Sequence, residues 1–131
     1  MSVESTTYTE GPQTAPSLLI VEDNPDLRHF LHRSLSDNYR ITEVENGQQA
    51  LDEISRQQPD LIISDIMMPV MDGYELVRSL REINKTIPVM MITARDAFDD
   101  MRQGFLSGTD DYMVKPINVN EMVLRIGALL R

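Results

Sequence analysis

Ser17 to Leu31 reads SLLIVEDNPDLRHFL, and two periodicities meet inside it. Leu18-Leu19-Ile20-Val21 is a continuous apolar run, the pattern of a strand buried on both faces. Asn24-Pro25 then offers an N-cap followed by proline at the first helical position, where a missing N–H costs nothing. Leu27, Phe30, Leu31 and Leu35 follow at helical spacing. The stretch is a strand and a helix joined through Glu22, Asp23 and Asn24.

The same unit repeats along the chain. Tyr39 to Glu45 alternates as an edge strand does, and Asn46-Gly47 opens a helix with Ala50, Leu51 and Ile54 on one face. Leu61-Ile62-Ile63-Ser64 is a third, buried strand, followed by a helix marked by Leu76, Val77, Leu80 and Ile83. Pro88 to Ile92 is the fourth strand, and Phe98, Met101 and Phe105 lay a thin apolar stripe on a fourth helix. Asp111 to Val114 is the fifth strand, and a closing helix over 118–130 turns Met122, Val123, Ile126 and Leu130 inward. Parallel strands need crossovers, so this α/β alternation implies a (βα)5, doubly wound, five-stranded parallel sheet. Eight units would be needed for a closed barrel; at this size the flavodoxin-like order 2-1-3-4-5 is the common solution.

Residues 1–16 are rich in Ser, Thr, Pro and Gly and are expected to be a disordered N-terminal tail or linker, with 17–131 as one domain. The net charge of −9 repels phosphate backbones, which disfavours direct nucleic-acid binding. No apolar run approaches the roughly 18 residues of a membrane span, and the N-terminus has no apolar signal region. The absence of cysteine removes disulfide and thiolate chemistry and fits a reducing cytoplasm, the expected location.

In an open parallel sheet the functional crevice lies beyond the carboxyl ends of the strands. Strand 1 ends in Glu22-Asp23, strand 3 in Asp65, strand 4 in Thr93, and strand 5 runs into Lys115. Any one of these acids could be a helix cap or turn former. Together they place three carboxylates, a hydroxyl and an ammonium at one rim. Carboxylates crowded there need a cation, and an all-oxygen set suits Mg²⁺. Zinc is not suited, because His29 and His32 lie on helix 1, where a solvated face is the plainer reading. Beside such an ion Asp65 becomes a nucleophile towards a phosphoryl group, with Lys115 as a fixed positive point and Thr93 as a hydrogen-bond donor.

At these residues the chain resembles the receiver domains of bacterial response regulators, over nearly all of 17–131. The carrying segments are LLIVEDN (18–24), PDLIISDIMMPVMDGYEL (59–76), PVMMITA (88–94) and GTDDYMVKP (108–116), in family order. The resemblance implies that Asp65 accepts a phosphoryl group from a sensor histidine kinase or phosphotransfer protein. It implies Mg²⁺ on Asp23, Asp65 and the backbone carbonyl of Met67, with Glu22 acting directly or through water. Thr93 and Tyr112 would form the switch pair, Lys115 would contact phosphoryl oxygens, and the Lys115–Pro116 peptide would be cis. The output would be read on the face of helix 4, strand 5 and helix 5, by an effector domain or in a homodimer. Such a domain catalyses only its own phosphorylation and dephosphorylation, so it is not an enzyme in the usual sense.

Two other classes compete. A phosphohydrolase with an Asp nucleophile would want an acid two residues beyond it, where Met67 stands; a pure interaction module would not need the intact Glu22, Asp23, Asp65, Thr93 and Lys115 set. An FMN binder is weaker still, since no phosphate-cradling loop follows strand 1. Gly73 reads as a turn residue before helix 3.

Overall fold

Short capped turns set this fold. In the computed structural model, which describes residues 14–94 and 108–131, every helix among the described residues opens at a side chain that caps it. Strand β1 (Ser17–Val21) leads to α1 (Pro25–Leu35), where the Asn24 side chain accepts from the Leu27 N–H at 3.0 Å. Strand β2 (Arg40–Val44) leads to α2 (Gly47–Arg56), capped by Asn46 on the Gln49 N–H at 2.9 Å. Strand β3 (Leu61–Asp65) leads to α3 (Gly73–Ile83), opened by a reciprocal Asp72–Glu75 capping box. Strands β4 (Val89–Thr93) and β5 (Asp111–Val114) follow, and Asn118 caps the closing helix, Val119–Leu129. Each cap satisfies an N–H that the first helical turn leaves free. The helix expected on Phe98, Met101 and Phe105 lies outside the described residues.

The strands form one sheet in the order β2-β1-β3-β4-β5, with every pairing parallel, as expected. Side chains alternate across it. Leu19, Val21, Ile62, Val89, Met91 and Tyr112 pack on one face under α2 and α3, with Ile54, Val77 and Leu80. Leu18, Ile20, Leu61, Ile63, Met90 and Ile92 pack on the other, against Leu31 and Leu35 of α1 and Met122 and Ile126 of the closing helix. Burial on both faces is why three strands read as unbroken apolar runs.

At the amino end of the sheet, Arg40 donates from Nε to the Ala15 carbonyl at 2.9 Å, and its N–H donates to the Pro16 carbonyl at 3.0 Å. Ala15 is buried there. Among the described residues no helix is long and apolar enough to cross a membrane.

Candidate functional site

Ladder register decides which residues meet at the carboxyl rim. Val21 pairs with Ser64, Asp65 with Ile92, and Thr93 with Val114. Glu22, Asp65, Thr93 and Lys115 therefore lie within a step or two of one level, on adjacent strand ends. The ladder carries on past the strands, with the Lys115 N–H on the Thr93 carbonyl at 2.8 Å and the Ile66 N–H on the Ile92 carbonyl at 3.2 Å.

Asp65 is buried, and both of its oxygens are engaged. Lys115 Nζ donates to Oδ2 at 3.0 Å, and the Met67 N–H donates to Oδ1 at 3.2 Å. A buried carboxylate requires such compensation. Carboxylate oxygens of Glu22, Asp23 and Asp65 all lie within 4.8 Å of one another. Glu22 is 1% exposed, whereas its neighbour Asp23 is open to solvent. Glu22 Oε2 accepts from the Asn24 N–H at 3.0 Å. Its Oε1 is buried and has no hydrogen-bond partner among the described residues. Burial pushes the Glu22 carboxyl up to about 7; the Asn24 N–H works against this, and the nearby Asp65 charge adds to it.

Thr93 is buried, and its hydroxyl donates to the Ala94 carbonyl at 3.2 Å. Tyr112 is buried two pairs back along the β4–β5 ladder, on the sheet face that Thr93 shares by period-two alternation. The Met67 side chain is 70% exposed. The Lys115–Pro116 peptide is cis.

Gly73 requires a correction. It takes up the first helical position of α3 rather than a turn, and its φ is not positive. A Cβ there would stand 2.6 Å from the Asp65 carbonyl oxygen and 2.9 Å from Ile66 Cα, so close approach of two backbones is what demands glycine. The left-handed residue of this loop is Val70, with φ 74°, where the Met71 N–H closes back on the Pro69 carbonyl at 2.8 Å.

His29 and His32 stay off the rim and face Glu43 of β2: the His32 ring contacts Oε2, and His29 Nε2 lies 3.7 Å from Oε1. One residue escaped the sequence reading. Arg28 donates from Nη1 to the Glu22 carbonyl at 2.8 Å, directly behind the acidic pair. Its signal was present, because Arg28, Leu31 and Leu35 form the buried stripe of α1, where an arginine has no reason to be unless it meets a partner.

The family model for the response regulator receiver domain matches residues 18–127. The chain belongs to that family. Receiver domains are signalling modules of two-component systems and not classical enzymes. The chain is 40% identical over 115 residues to Response regulator MprA of Mycolicibacterium vanbaalenii, an alignment covering 87% of this chain and 50% of that protein. It thus spans about half the length of the curated relatives it matches. Its fold is similar to the signal receiver domain of a signal transduction histidine kinase from Syntrophus aciditrophicus, with TM-score 0.82 and 37% identity, covering 88% of this chain and 90% of that one. Chemotaxis response regulator CheY4 of Vibrio cholerae matches with TM-score 0.84 and 29% identity, covering 89% of this chain and all of the other (100%). This receiver domain therefore shares its fold with a chemotaxis response regulator and with the receiver domain of a histidine kinase.

Proposed function

We propose that this receiver domain works as a phosphorylation switch whose acceptor is Asp65. An Asp65 oxygen attacks the phosphorus of a phosphohistidine on a kinase or phosphotransfer protein. The phosphorus–nitrogen bond breaks, an acyl phosphate forms, and the imidazole leaves. The observation that carries the reading is Lys115 Nζ at 3.0 Å from Asp65 Oδ2, which puts a fixed cation where the phosphoryl oxygens gather.

The donor set fits Mg²⁺: oxygen only, clustered, and including a buried Glu22 oxygen with no protein partner among the described residues. Glu22, Asp23, Asp65 and the Met67 carbonyl would hold the ion. When bound, it supplies charge neutralisation between the acids and the incoming phosphoryl group. The chain's own residues do the rest. The Met67 N–H orients Asp65, Lys115 shields the developing charge, and Thr93 is placed to turn its hydroxyl from the Ala94 carbonyl to a phosphoryl oxygen. Tyr112 would then move in behind Thr93, biasing a pre-existing equilibrium of the face formed by the fourth helix of the sequence reading, β5 and the closing helix. An effector domain or a second copy would read that face.

Residues 17–131 are taken as the working unit, with 1–16 as tail or linker, acting in the cytoplasm. A phosphohydrolase is disfavoured by an exposed thioether at Met67, where that chemistry needs an acid. Incubation with Mg²⁺ and a small acyl phosphate, followed by intact-mass measurement, tests the proposal. One added phosphoryl group is expected, lost in Asp65→Asn and on chelation. An unchanged mass in the native chain overturns it.

A further inference from the structure

Arg28 is 9% exposed and stands behind the acidic rim rather than in it. It holds two groups at once. Nη1 donates to the Glu22 carbonyl at 2.8 Å, and Nε donates to Glu43 Oε1 at 3.1 Å. Its backbone N–H also donates to the Asn24 carbonyl at 3.0 Å, so the whole Glu22–Asn24 turn is drawn onto α1. Glu43 is gripped from its other side by the His32 ring on Oε2, with His29 Nε2 3.7 Å from Oε1. One line of contacts runs from the outer face of α1, through Glu43 and Arg28, to the peptide joining Glu22 and Asp23.

That peptide is planar, so holding its carbonyl fixes the plane and with it the direction in which Asp23 leaves the chain. Glu22 and Asp23 are two of the three clustered acids. A guanidinium suits the task because its fork can donate to a carboxylate and a carbonyl together, whereas an ammonium reaches one of them well. An arginine kept only for an ion pair would need Glu43 alone; the bond to a rim carbonyl goes beyond that.

We infer that Arg28 is a positioning residue for the metal-binding acids, and that Glu43, steadied by its histidines, positions Arg28. The inference rests on reading the rim as a Mg²⁺ site for phosphoryl acceptance. Loss of Arg28 frees the Glu22–Asp23 peptide to rotate, so the acids meet the ion less well, while Asp65 and Lys115 stay in place.

The test titrates Mg²⁺ into the ¹⁵N-labelled chain, following the backbone amides of the rim, and measures initial phosphorylation rates by a small acyl phosphate across the same Mg²⁺ range. The variants are Arg28→Met, Arg28→Lys and Glu43→Gln, with Ile54→Ala, in the core on the opposite sheet face, as a control for lost stability. Outer-shell partners of metal ligands change affinity by about 10- to 100-fold, and Arg28 acts through backbone, so Arg28→Met is expected to raise the Mg²⁺ half-saturation about tenfold in both readouts. The plateau rate at saturating Mg²⁺ should stay within about twofold of the native chain, the mark of lost binding rather than lost chemistry. Arg28→Lys should recover part of the shift. Glu43→Gln should move half-saturation the same way by a smaller factor, and it carries the test alone if Arg28→Met does not fold. Half-saturation in Arg28→Met and Glu43→Gln equal to that of the native chain, or of Ile54→Ala, overturns the inference. A native chain that neither binds Mg²⁺ nor accepts a phosphoryl group instead overturns the reading beneath it.

Discussion

Glu22→Gln should stabilise the metal-free domain strongly at pH 8 and by only about a quarter as much at pH 5. The carboxyl is 1% exposed, has one oxygen without a protein partner among the described residues, and faces the Asp65 charge. Burial first, and Asp65 after it, hold its pKa at about 7 in the fold, against 4.5 for the free side chain. Because the folded value is the higher one, the folded state binds the extra proton. Stability from this group is thus fully present below pH 4.5 and is lost as pH rises through about 7. Each tenfold change in proton affinity is about 1.4 kcal/mol, so ionising Glu22 costs the fold on the order of 3 kcal/mol at pH 8. Glutamine keeps an acceptor for the Asn24 N–H and carries no charge. Its gain at pH 8 should appear as a rise in Tm of roughly 10–15 °C, at the roughly 3–5 °C per kcal/mol that lies between smaller and larger domains. Circular dichroism melts with a chelator present, from pH 5 to pH 8, give the measurement. With Mg²⁺ in excess the order should shrink or reverse, since the ionised carboxylate then has a partner. A difference between the two proteins that is flat with pH, or a glutamine variant that is the less stable at pH 8, would refute the reasoning.

Three further outcomes are expected. Gly127→Ala should stabilise by about 0.5–1 kcal/mol in urea unfolding, because a Cβ there meets nothing within 4 Å and the helix interior loses a flexible residue. Arg81→Met should cost about 1–3 kcal/mol, since that side chain donates to the Gly108 and Ile87 carbonyls at 2.9 and 2.7 Å and to Asp110 Oδ2 at 3.0 Å, and removing it leaves half-buried carbonyls without their donor. Gly73→Ala should destabilise by about 1–3 kcal/mol through overpacking, and should also slow phosphoryl acceptance, because the added methyl presses on the backbone of Asp65 itself. Equal acceptance rates in Gly73→Ala and the native chain would separate α3 docking from the acceptor's geometry.

Much of the site was legible because a parallel sheet with short turns leaves little freedom. Once Leu18–Val21, Leu61–Ser64, Pro88–Ile92 and Asp111–Val114 are strands of one sheet, the residues after them must share a rim, and Glu22, Asp65, Thr93 and Lys115 do. Sequence could not tell that adjacent Glu22 and Asp23 lie in opposite environments, one buried and one exposed, since that depends on how the turn rolls onto α1. Arg28 was passed over although its spacing from Leu31 and Leu35 puts it on the buried stripe of α1; that spacing marks burial, while the partner it meets, the Glu22 carbonyl, comes only from the fold. Gly73 was misread because a close approach between residues distant along the chain leaves no local mark, while a turn before a helix does.

The most direct measurement is chemical trapping of the modified side chain. The native chain is loaded with a phosphoryl group in Mg²⁺, reduced with borohydride so that an acyl phosphate becomes an alcohol, and mapped by peptide mass. Reduction confined to Asp65, and missing when Lys115 is replaced by Ala or Mg²⁺ is withheld, is the predicted result. Reduction at another carboxylate, or phosphate recovered on a Ser, Thr or His side chain, would contradict the assignment of this rim.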